Sequence, residues 1–199
     1  MITFIIPAHD EEFLIGRTIS ALHAGGARNE PYEIIVVDDA STDATTTVAQ
    51  AQGELLVFVD ADTHVPGTAV GAASHAMRTG AVGGVARARF DGSVPIYGRI
   101  LAWLWLWIQR FGHLASGCFL FCARDAFEAA GGFDQTRYAA EDVVLSRQLR
   151  RLGRFVILRE EVVTSGRTLR SHSAFEVLGI VVGFVLRGPG FFRTRQGPW

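Results

Sequence analysis

Three largely apolar runs in the first 62 residues each lead into a group of carboxylates. The runs and the acidic residues after them are Ile2–Ile6 with Asp10, Glu11 and Glu12, Tyr32–Val37 with Asp38 and Asp39, and Leu55–Val59 with Asp60 and Asp62. Runs of this length, bounded by Gly, Pro or polar residues, are typical of strands covered on both faces. Between the first two, Phe13–Ala24 has apolar residues at helical spacing and a glycine pair after it. This order predicts a right-handed βαβ unit, whose parallel strands bring their carboxyl ends to one edge.

Asp60 and Asp62 stand one residue apart directly after the third run. Because side chains alternate along an extended chain, we expect both carboxylates on one side and Ala61 on the other. Carboxylate oxygens are ligands that Mg²⁺ and Mn²⁺ prefer, and one or two suffice where substrate phosphates supply the rest. The alternative is that the two residues only end the strand in a turn. Since ligands of open α/β sheets bind at the carboxyl edge, we expect the functional site there.

The second half of the chain contains further strand and helix patterns. Val82–Phe90 and Leu114–Ala123 predict strands, and Arg124–Ala130 predicts a helix. Glu141 and Asp142 have the place of an acidic first turn in another helix. The core face predicted for that helix consists of Val144, Leu145, Gln148 and Leu149.

Five motifs together resemble the family 2 glycosyltransferases with the GT-A fold. In chain order they read PAHDEE from Pro7, VVDDASTD from Val36, FVDAD from Phe58, GGFD from Gly131 and EDVVLSRQLRRLG from Glu141. Each motif alone is weak, whereas five in family order over roughly residues 2 to 153 are hard to obtain by chance. The resemblance implies an α/β nucleotide-diphospho-sugar transferase fold, with a mostly parallel central sheet and helices on both faces.

The resemblance also implies a role for each matching residue. Nucleotide binding falls to Pro7, Ala8, Glu11, Asp38, Asp39 and Asp60, with Asp39 and Glu11 at the base and ribose. Asp60 and Asp62 are expected to hold Mn²⁺ or Mg²⁺ on the diphosphate. Asp142 matches the family's general base, and Glu141 lies beside it. The reaction implied is an inverting transfer of a sugar to an acceptor hydroxyl, for which a carboxylate base and a cation are chemically suited.

Two other classes of function remain open. A degenerate member could bind nucleotide weakly without catalysis or act as a membrane-associated scaffold. A nucleotidyltransferase would also use paired carboxylates and a metal, but no Gly-rich phosphate loop with a Lys follows the first strand. The three intact carboxylates Asp60, Asp62 and Asp142 favour the transferase, because a scaffold has no chemical need for them.

The chain departs from the family pattern at two places. Asp10 stands where the family usually has Asn, which adds a negative charge near the nucleotide pocket. The interval between Asp43 and Asp60 is the larger departure, because the family normally has a further strand and helix there. Only one short helix fits, over Ala44–Gln52, and a helix of about ten residues spans roughly 15 Å, enough to return the chain along a five-residue strand. The sequence therefore predicts a shortened GT-A fold.

Composition and charge bear on nucleic-acid binding, on the state of the cysteines and on the cellular compartment. The 199 residues are 49% hydrophobic, which suits one compact domain. A net charge of −1 gives no support for nucleic-acid binding. Cys118 and Cys122 stand in an apolar stretch without a second Cys or His pair, so we expect reduced core thiols. The first residues lack the basic segment of a secretory signal, which favours the cytoplasm.

Two apolar runs suggest contact with a membrane surface. Ile100–Ile108 contains three tryptophans and Val177–Leu186 precedes an arginine, but both are too short to span a bilayer. Either core packing or attachment at the headgroup level would cover them. Attachment would suit a lipid-linked acceptor and a peripheral location on the inner face of the membrane. We therefore divide a single domain, residues 1–199, into a nucleotide and metal half (1–62), an acceptor half (63–165) and an apolar, basic C-terminal segment (166–199).

Overall fold

A computed structural model describes residues 1–8, 11, 14–25, 30–38, 51–92, 118–134, 141–167 and 179, without the side chain of Asp38. Six strands lie in this part of the chain: β1 (Ile2–Ala8), β2 (Tyr32–Asp38), β3 (Leu55–Val59), β4 (Ala81–Phe90), β5 (Phe119–Ala123) and β6 (Arg154–Thr164). Four helices accompany them: α1 (Ile15–Gly25), α2 (Gly67–Arg78), α3 (Arg124–Ala129) and α4 (Glu141–Leu152).

The six strands form one sheet in the order β2-β1-β3-β5-β4-β6. β1 pairs in parallel with both β2 and β3, and β4 pairs in parallel with β6. β5 is antiparallel to both of its neighbours, so five strands point one way and β5 points the other. The carboxyl ends of β1, β2 and β3 therefore share one edge, as the βαβ prediction requires, and the carboxyl ends of β4 and β6 join them there.

Apolar side chains cover both faces of the sheet. On one face, residues such as Phe4 and Val57 pack with Leu22 of α1 and Ala73 of α2. On the other face, Leu56 and Leu120 pack with Phe127 of α3 and Leu145 of α4. Neighbouring residues of β3 thus serve opposite layers, which is why its sequence is apolar throughout. The predicted α/β class, with a mostly parallel sheet between helices, is confirmed.

The sequence located most of these elements but missed two. The patterns of β1 to β5, α1, α3 and α4 are found close to their predicted bounds, although residues 114–117 of the predicted fifth strand lie outside the described part. Helix α2, with its many small residues, and strand β6, with charges in mid-sequence, had not been predicted. The core face of α4 was partly wrong, since Val143 and Ser146 are buried whereas Val144 and Gln148 are half-buried.

The chain returns to the sheet before β3 through a polar network. Thr3 Oγ1 donates to Glu33 Oε1 at 2.6 Å and accepts from the Gly53 amide at 2.8 Å. The Gln52 amide also donates to Glu33, and Arg124 donates to the carbonyl oxygens of residues 51 and 53. The Thr3 and backbone donors lower the pKa of Glu33. These contacts fix the end of the shortened connection, while residues 44–50 of its predicted helix lie outside the described part.

Neither apolar run can be assessed from the described residues, which include only Gly179 of the two. Within the described ranges, no helix has both the length and the apolar character needed to cross a membrane.

Candidate active site

The turn after β3 holds Asp60 and Asp62 at the carboxyl edge of the sheet. The Asp60 amide donates to the Cys118 carbonyl oxygen at 3.2 Å, and the Thr63 amide donates to the Asp60 carbonyl oxygen at 3.0 Å. Ala61 lies in the core, and its carbonyl oxygen accepts a hydrogen bond of 2.7 Å from the buried hydroxyl of Thr18 in α1. Asp60 is exposed and Asp62 is half-buried. The middle residue thus anchors the turn and its two acidic neighbours stay outside the core.

Asp60 is a carboxyl in an unfavourable environment for its charge. Loss of solvation raises its pKa from 3.8 to about 7, and the neighbouring charges of Asp62, Asp142 and Glu141 act in the same direction. Asp60 is nevertheless exposed, so solvent still reaches it. The pKa rises because many protein atoms surround the carboxyl and displace part of its water, not because the carboxyl is closed off from solvent. Asp60 is therefore the point where the acidic turn after β3 and the start of α4 come within electrostatic reach.

Asp62 is held by the end of β6. The Thr164 hydroxyl donates to Asp62 Oδ1 at 3.1 Å, and Thr164 itself is buried. Loss of solvation raises the pKa of Asp62 and the nearby charge of Glu11 raises it further, whereas the Thr164 hydrogen bond and Arg167 oppose the rise. One oxygen of Asp62 is thus oriented by a neutral donor, an arrangement that leaves the second oxygen suited to a ligand.

Glu141 and Asp142 begin α4 on the opposite face of the sheet from α1 and α2. Asp142 Oδ1 accepts from the Val143 amide at 2.8 Å, and both acidic residues are half-buried. Buried Val143, Leu145 and Leu149 fix the helix against the sheet. The predicted base therefore lies at the amino end of a helix packed on the sheet, within electrostatic reach of Asp60.

Glu11 links the loop after β1 to the other carboxylates. Its carbonyl oxygen accepts from the amides of Leu14 and Ile15, where α1 begins. Its carboxylate forms an ion pair with Arg167 through Oε1. The other oxygen, Oε2, is buried and has no hydrogen-bond partner among the described residues. An unpartnered buried oxygen is unfavourable unless a ligand supplies a donor, which is consistent with the predicted contact to a nucleotide.

The remaining predicted residues lie at the ends of β1 and β2. Pro7 is exposed, Ala8 is half-buried, and Ala8 is paired in register with Asp38. Asp39 lies outside the described residues, so its predicted contact with the base stays a prediction. Cys118 and Cys122 are buried free thiols, as expected, and burial raises the pKa of Cys118 to about 12.

Two site residues had not been predicted, Thr164 and Arg167. Thr164 is the last residue of β6, the strand that had not been predicted, and Arg167 lies three residues after it. Each contacts a residue more than 100 positions away in the sequence. The excess of arginine in the second half of the chain was the only sequence signal, and it did not single out one position.

The carboxylates fit a divalent cation in donor type and charge. Asp60 and Asp62 supply hard oxygen ligands, and a cation would relieve the repulsion that raises the pKa of Asp60. Within the described residues, no three His, Cys, Asp or Glu side chains form a group able to hold a metal by themselves. A donor set of two carboxylates is the type completed by substrate phosphates and water.

Comparison with protein families gives one match for the amino-terminal part of the chain. Residues 3–51 match the family model described as Glycosyl transferase family 2. This segment is similar to glycosyl transferase family 2. It contains almost all of β1, with α1, β2, Glu11 and Asp39, so the resemblance drawn from the motifs is confirmed for this part of the chain. Comparison with curated proteins gave no match.

Solved structures extend the glycosyltransferase likeness over most of the chain as a likeness of fold. S. aureus TarS 1-349 in complex with UDP-GlcNAc is 16% identical with a TM-score of 0.60, and 94% of this chain covers 66% of that one. Mannosyltransferase PcManGT from Pyrobaculum calidifontis, in complex with GDP-Man and Mn2+, is 18% identical with a TM-score of 0.68, over 94% of this chain and 62% of that one. The chain thus spans slightly less than two thirds of these structures, and the GT-A fold is confirmed.

Proposed function

We propose that the protein is an inverting, metal-dependent glycosyltransferase that moves a sugar from a nucleotide-diphospho-sugar to an acceptor hydroxyl. The observation that carries this proposal is the position of Asp60. Its carboxyl interacts electrostatically with Asp62 of the same turn and with Glu141 and Asp142 at the start of α4. This supports a site in which two carboxylates that would bind a cation lie within electrostatic reach of a candidate base, as a single transfer reaction requires.

The donor would bind across the ends of β1 and β2. The nucleotide pocket would be lined by Pro7, Ala8 and Asp38 at the ends of these strands. Glu11 would accept a hydrogen bond at Oε2, and Asp39 would contact the base. Two solved neighbours were crystallised with UDP-GlcNAc and with GDP-Man, which supports a nucleotide-sugar as the donor class.

Asp60 and Asp62 would hold Mn²⁺ or Mg²⁺. When bound, the cation would neutralise the charge of the leaving diphosphate. The presence of Mn2+ in the mannosyltransferase neighbour supports this choice of metal. On the protein side, Thr164 keeps Asp62 Oδ1 in place, and the turn anchored by Ala61 keeps both carboxylates at the edge.

Asp142 would act as the base. Its carboxylate would take the proton of the acceptor hydroxyl while the hydroxyl oxygen forms a bond to the anomeric carbon and the bond from that carbon to the diphosphate oxygen breaks. A single displacement inverts the configuration at the carbon. The rigid amino end of α4 would hold the carboxylate in line, and its hydrogen bond from the Val143 amide would restrict its rotation.

Asp142→Asn provides the most direct test of this function. The variant should bind nucleoside diphosphate in Mn²⁺ as tightly as the wild type and lose transfer by a factor of about 10² or more. Asp62→Ala should instead abolish the Mn²⁺-dependent rise in melting temperature caused by the nucleotide. If donor affinity fell together with turnover in Asp142→Asn, Asp142 would be a binding residue and not the base.

A noncatalytic nucleotide-binding protein is the second candidate. The short connection between β2 and β3 favours it, because the family pattern has a further strand and helix there. A wild-type protein that binds nucleoside diphosphate in Mn²⁺ but hydrolyses and transfers no donor sugar would support this candidate over the enzyme.

A further inference from the structure

The segment after β6 is fixed at the same edge as the carboxylates. Thr164 donates to Asp62, and two of the next amides donate to side-chain oxygens: the Gly166 amide to Asp91 Oδ1 at 2.8 Å and the Arg167 amide to Ser165 Oγ at 3.2 Å. This anchoring directs Arg167 toward Glu11, to which its Nη2 donates. The guanidinium of a residue that follows β6 thus reaches Glu11 in the loop after β1.

Arg167 brings positive charge to an edge dominated by carboxylates. It forms an ion pair with Glu11, and its charge favours the ionised form of Asp62. Asp60 interacts with Asp62 and with two further carboxylates, Glu141 and Asp142. An approaching diphosphate would be repelled by such an edge, and one divalent cation would offset only part of that repulsion. A second positive group close to Asp62 would lower the remaining cost.

The chemistry of a guanidinium suits this task. Its planar fork of five N–H donors can bind two phosphate oxygens side by side, which the point charge of a Lys cannot do. More than half of the Arg167 side chain is exposed, at 56%, while the Glu11 side chain is 16% exposed. Glu11 therefore orients the guanidinium, and the exposed part of the fork is accessible to a ligand.

We propose that Arg167 is a binding residue for the diphosphate of the donor, held in position by Glu11. The inference rests on the proposed function, since it assigns a further residue to the same donor site. It also assigns a role to the pairing of Glu11 with Arg167, which joins the nucleotide side of the site to its metal side.

The test compares affinities for nucleoside diphosphates and monophosphates. Dissociation constants for UDP, GDP, UMP and GMP in Mn²⁺ are measured by calorimetry for the wild type, Arg167→Gln, Arg167→Lys and Arg78→Gln. Arg78 is a matched control, because it is also an exposed arginine paired with a glutamate, Glu30 at 2.7 Å, but it lies at the far end of α2. We expect Arg167→Gln to weaken diphosphate binding by roughly 10- to 100-fold and monophosphate binding much less. Arg167→Lys should recover only part of the loss, and Arg78→Gln should match the wild type.

Two results would overturn the inference without affecting the proposed function. One is an unchanged affinity of Arg167→Gln for every nucleotide. The other is an equal loss for mono- and diphosphates, which would mean that Arg167 acts only through Glu11. A wild type that binds neither UDP nor GDP in Mn²⁺ would instead overturn the proposed function and this inference together. Melting temperatures of all variants check folding, and we expect little change because the Arg167 side chain is mostly exposed.

Discussion

At the scale of single residues, Asp60 connects stability to function. Its folded-state pKa of about 7 lies above the ordinary value of 3.8, so folding favours the protonated form. The stability that this group contributes is therefore complete below pH 3.8 and is lost as the pH rises through about 7. A bound cation would reverse the balance, because it favours the ionised form.

Asp60→Asn should consequently stabilise the metal-free protein, and more at pH 8 than at pH 5. Since solvent screens an exposed carboxyl, we expect a rise in melting temperature of about 2–4 °C at pH 8. Scanning calorimetry with a chelator at both pH values measures it. Addition of Mn²⁺ and UDP or GDP should then stabilise the wild type and leave the variant unchanged. A variant less stable than the wild type at pH 8 without metal would contradict the charge argument.

Thr164 is a positioning residue for Asp62, and its contribution can be separated from packing. Thr164→Val removes the hydroxyl while keeping the shape, so Asp62 loses its donor at 3.1 Å. We expect Mn²⁺ affinity in the presence of nucleotide to fall by about tenfold. Thr164→Ser should restore the affinity, because it retains the hydroxyl. Equal Mn²⁺ affinities for the valine and serine variants in a calorimetric titration would exclude this role.

At the scale of secondary-structure elements, the contact between α1 and α2 supports the acidic turn. The end of α1 at Gly25 lies against the start of α2 at Gly67 so closely that a Cβ on Gly67 would overlap the Gly25 carbonyl oxygen. Two backbones can approach in this way only where side chains are absent. The contact holds α1 in place, and α1 in turn carries Thr18, the donor to the Ala61 carbonyl.

Two alanine substitutions within α2 distinguish this contact from helix propensity. Gly67→Ala should destabilise the protein by about 1–3 kcal/mol, because the backbones must separate. Gly71→Ala is the matched control, since a Cβ there would meet nothing within 4 Å, and it should stabilise by about 0.5–1 kcal/mol. Urea unfolding of both variants measures the difference. Similar free energies of unfolding for the two would show that the contact is not tight in solution.

At the scale of the whole molecule, the acceptor and the location of the protein stay predictions. We propose that the apolar runs at residues 100–108 and 177–186 attach the protein to a membrane surface that presents a lipid-linked acceptor. Flotation with liposomes should show binding that increases with anionic lipid and decreases with salt, because Arg contacts add about 1 kcal/mol each. A double change to Ser, at Trp105 in the first run and at Phe191 five residues after the end of the second, should weaken it without unfolding the chain. Wild-type protein that stays unbound at every lipid composition would favour a soluble acceptor and packing contacts for these runs.

The sequence by itself determined the first half of the sheet and the place of two acidic residues at its carboxyl edge. Runs such as Leu55–Val59 are apolar at every position because both faces of the strand are covered, and this pattern does not depend on distant contacts. A helix between two strands returns the chain to the edge where the first strand began, so the strands pair in parallel, and chirality makes the crossover right-handed. The placement of Asp60 and Asp62 after a buried strand followed from these local rules.

Only the tertiary structure decided which distant residues join that site. β6 carries Arg159, Glu160 and Glu161 in mid-strand, and it is a strand because β4 supplies a parallel partner and α2 contributes to covering it, neither of which its own pattern reveals. Thr164 and Arg167 therefore reach Asp62 and Glu11 through pairings that span more than 100 residues. The elevated pKa of Asp60 has the same origin. Asp60 loses solvation, and the charges of Glu141 and Asp142 come near it, only once the two halves of the sheet have packed together.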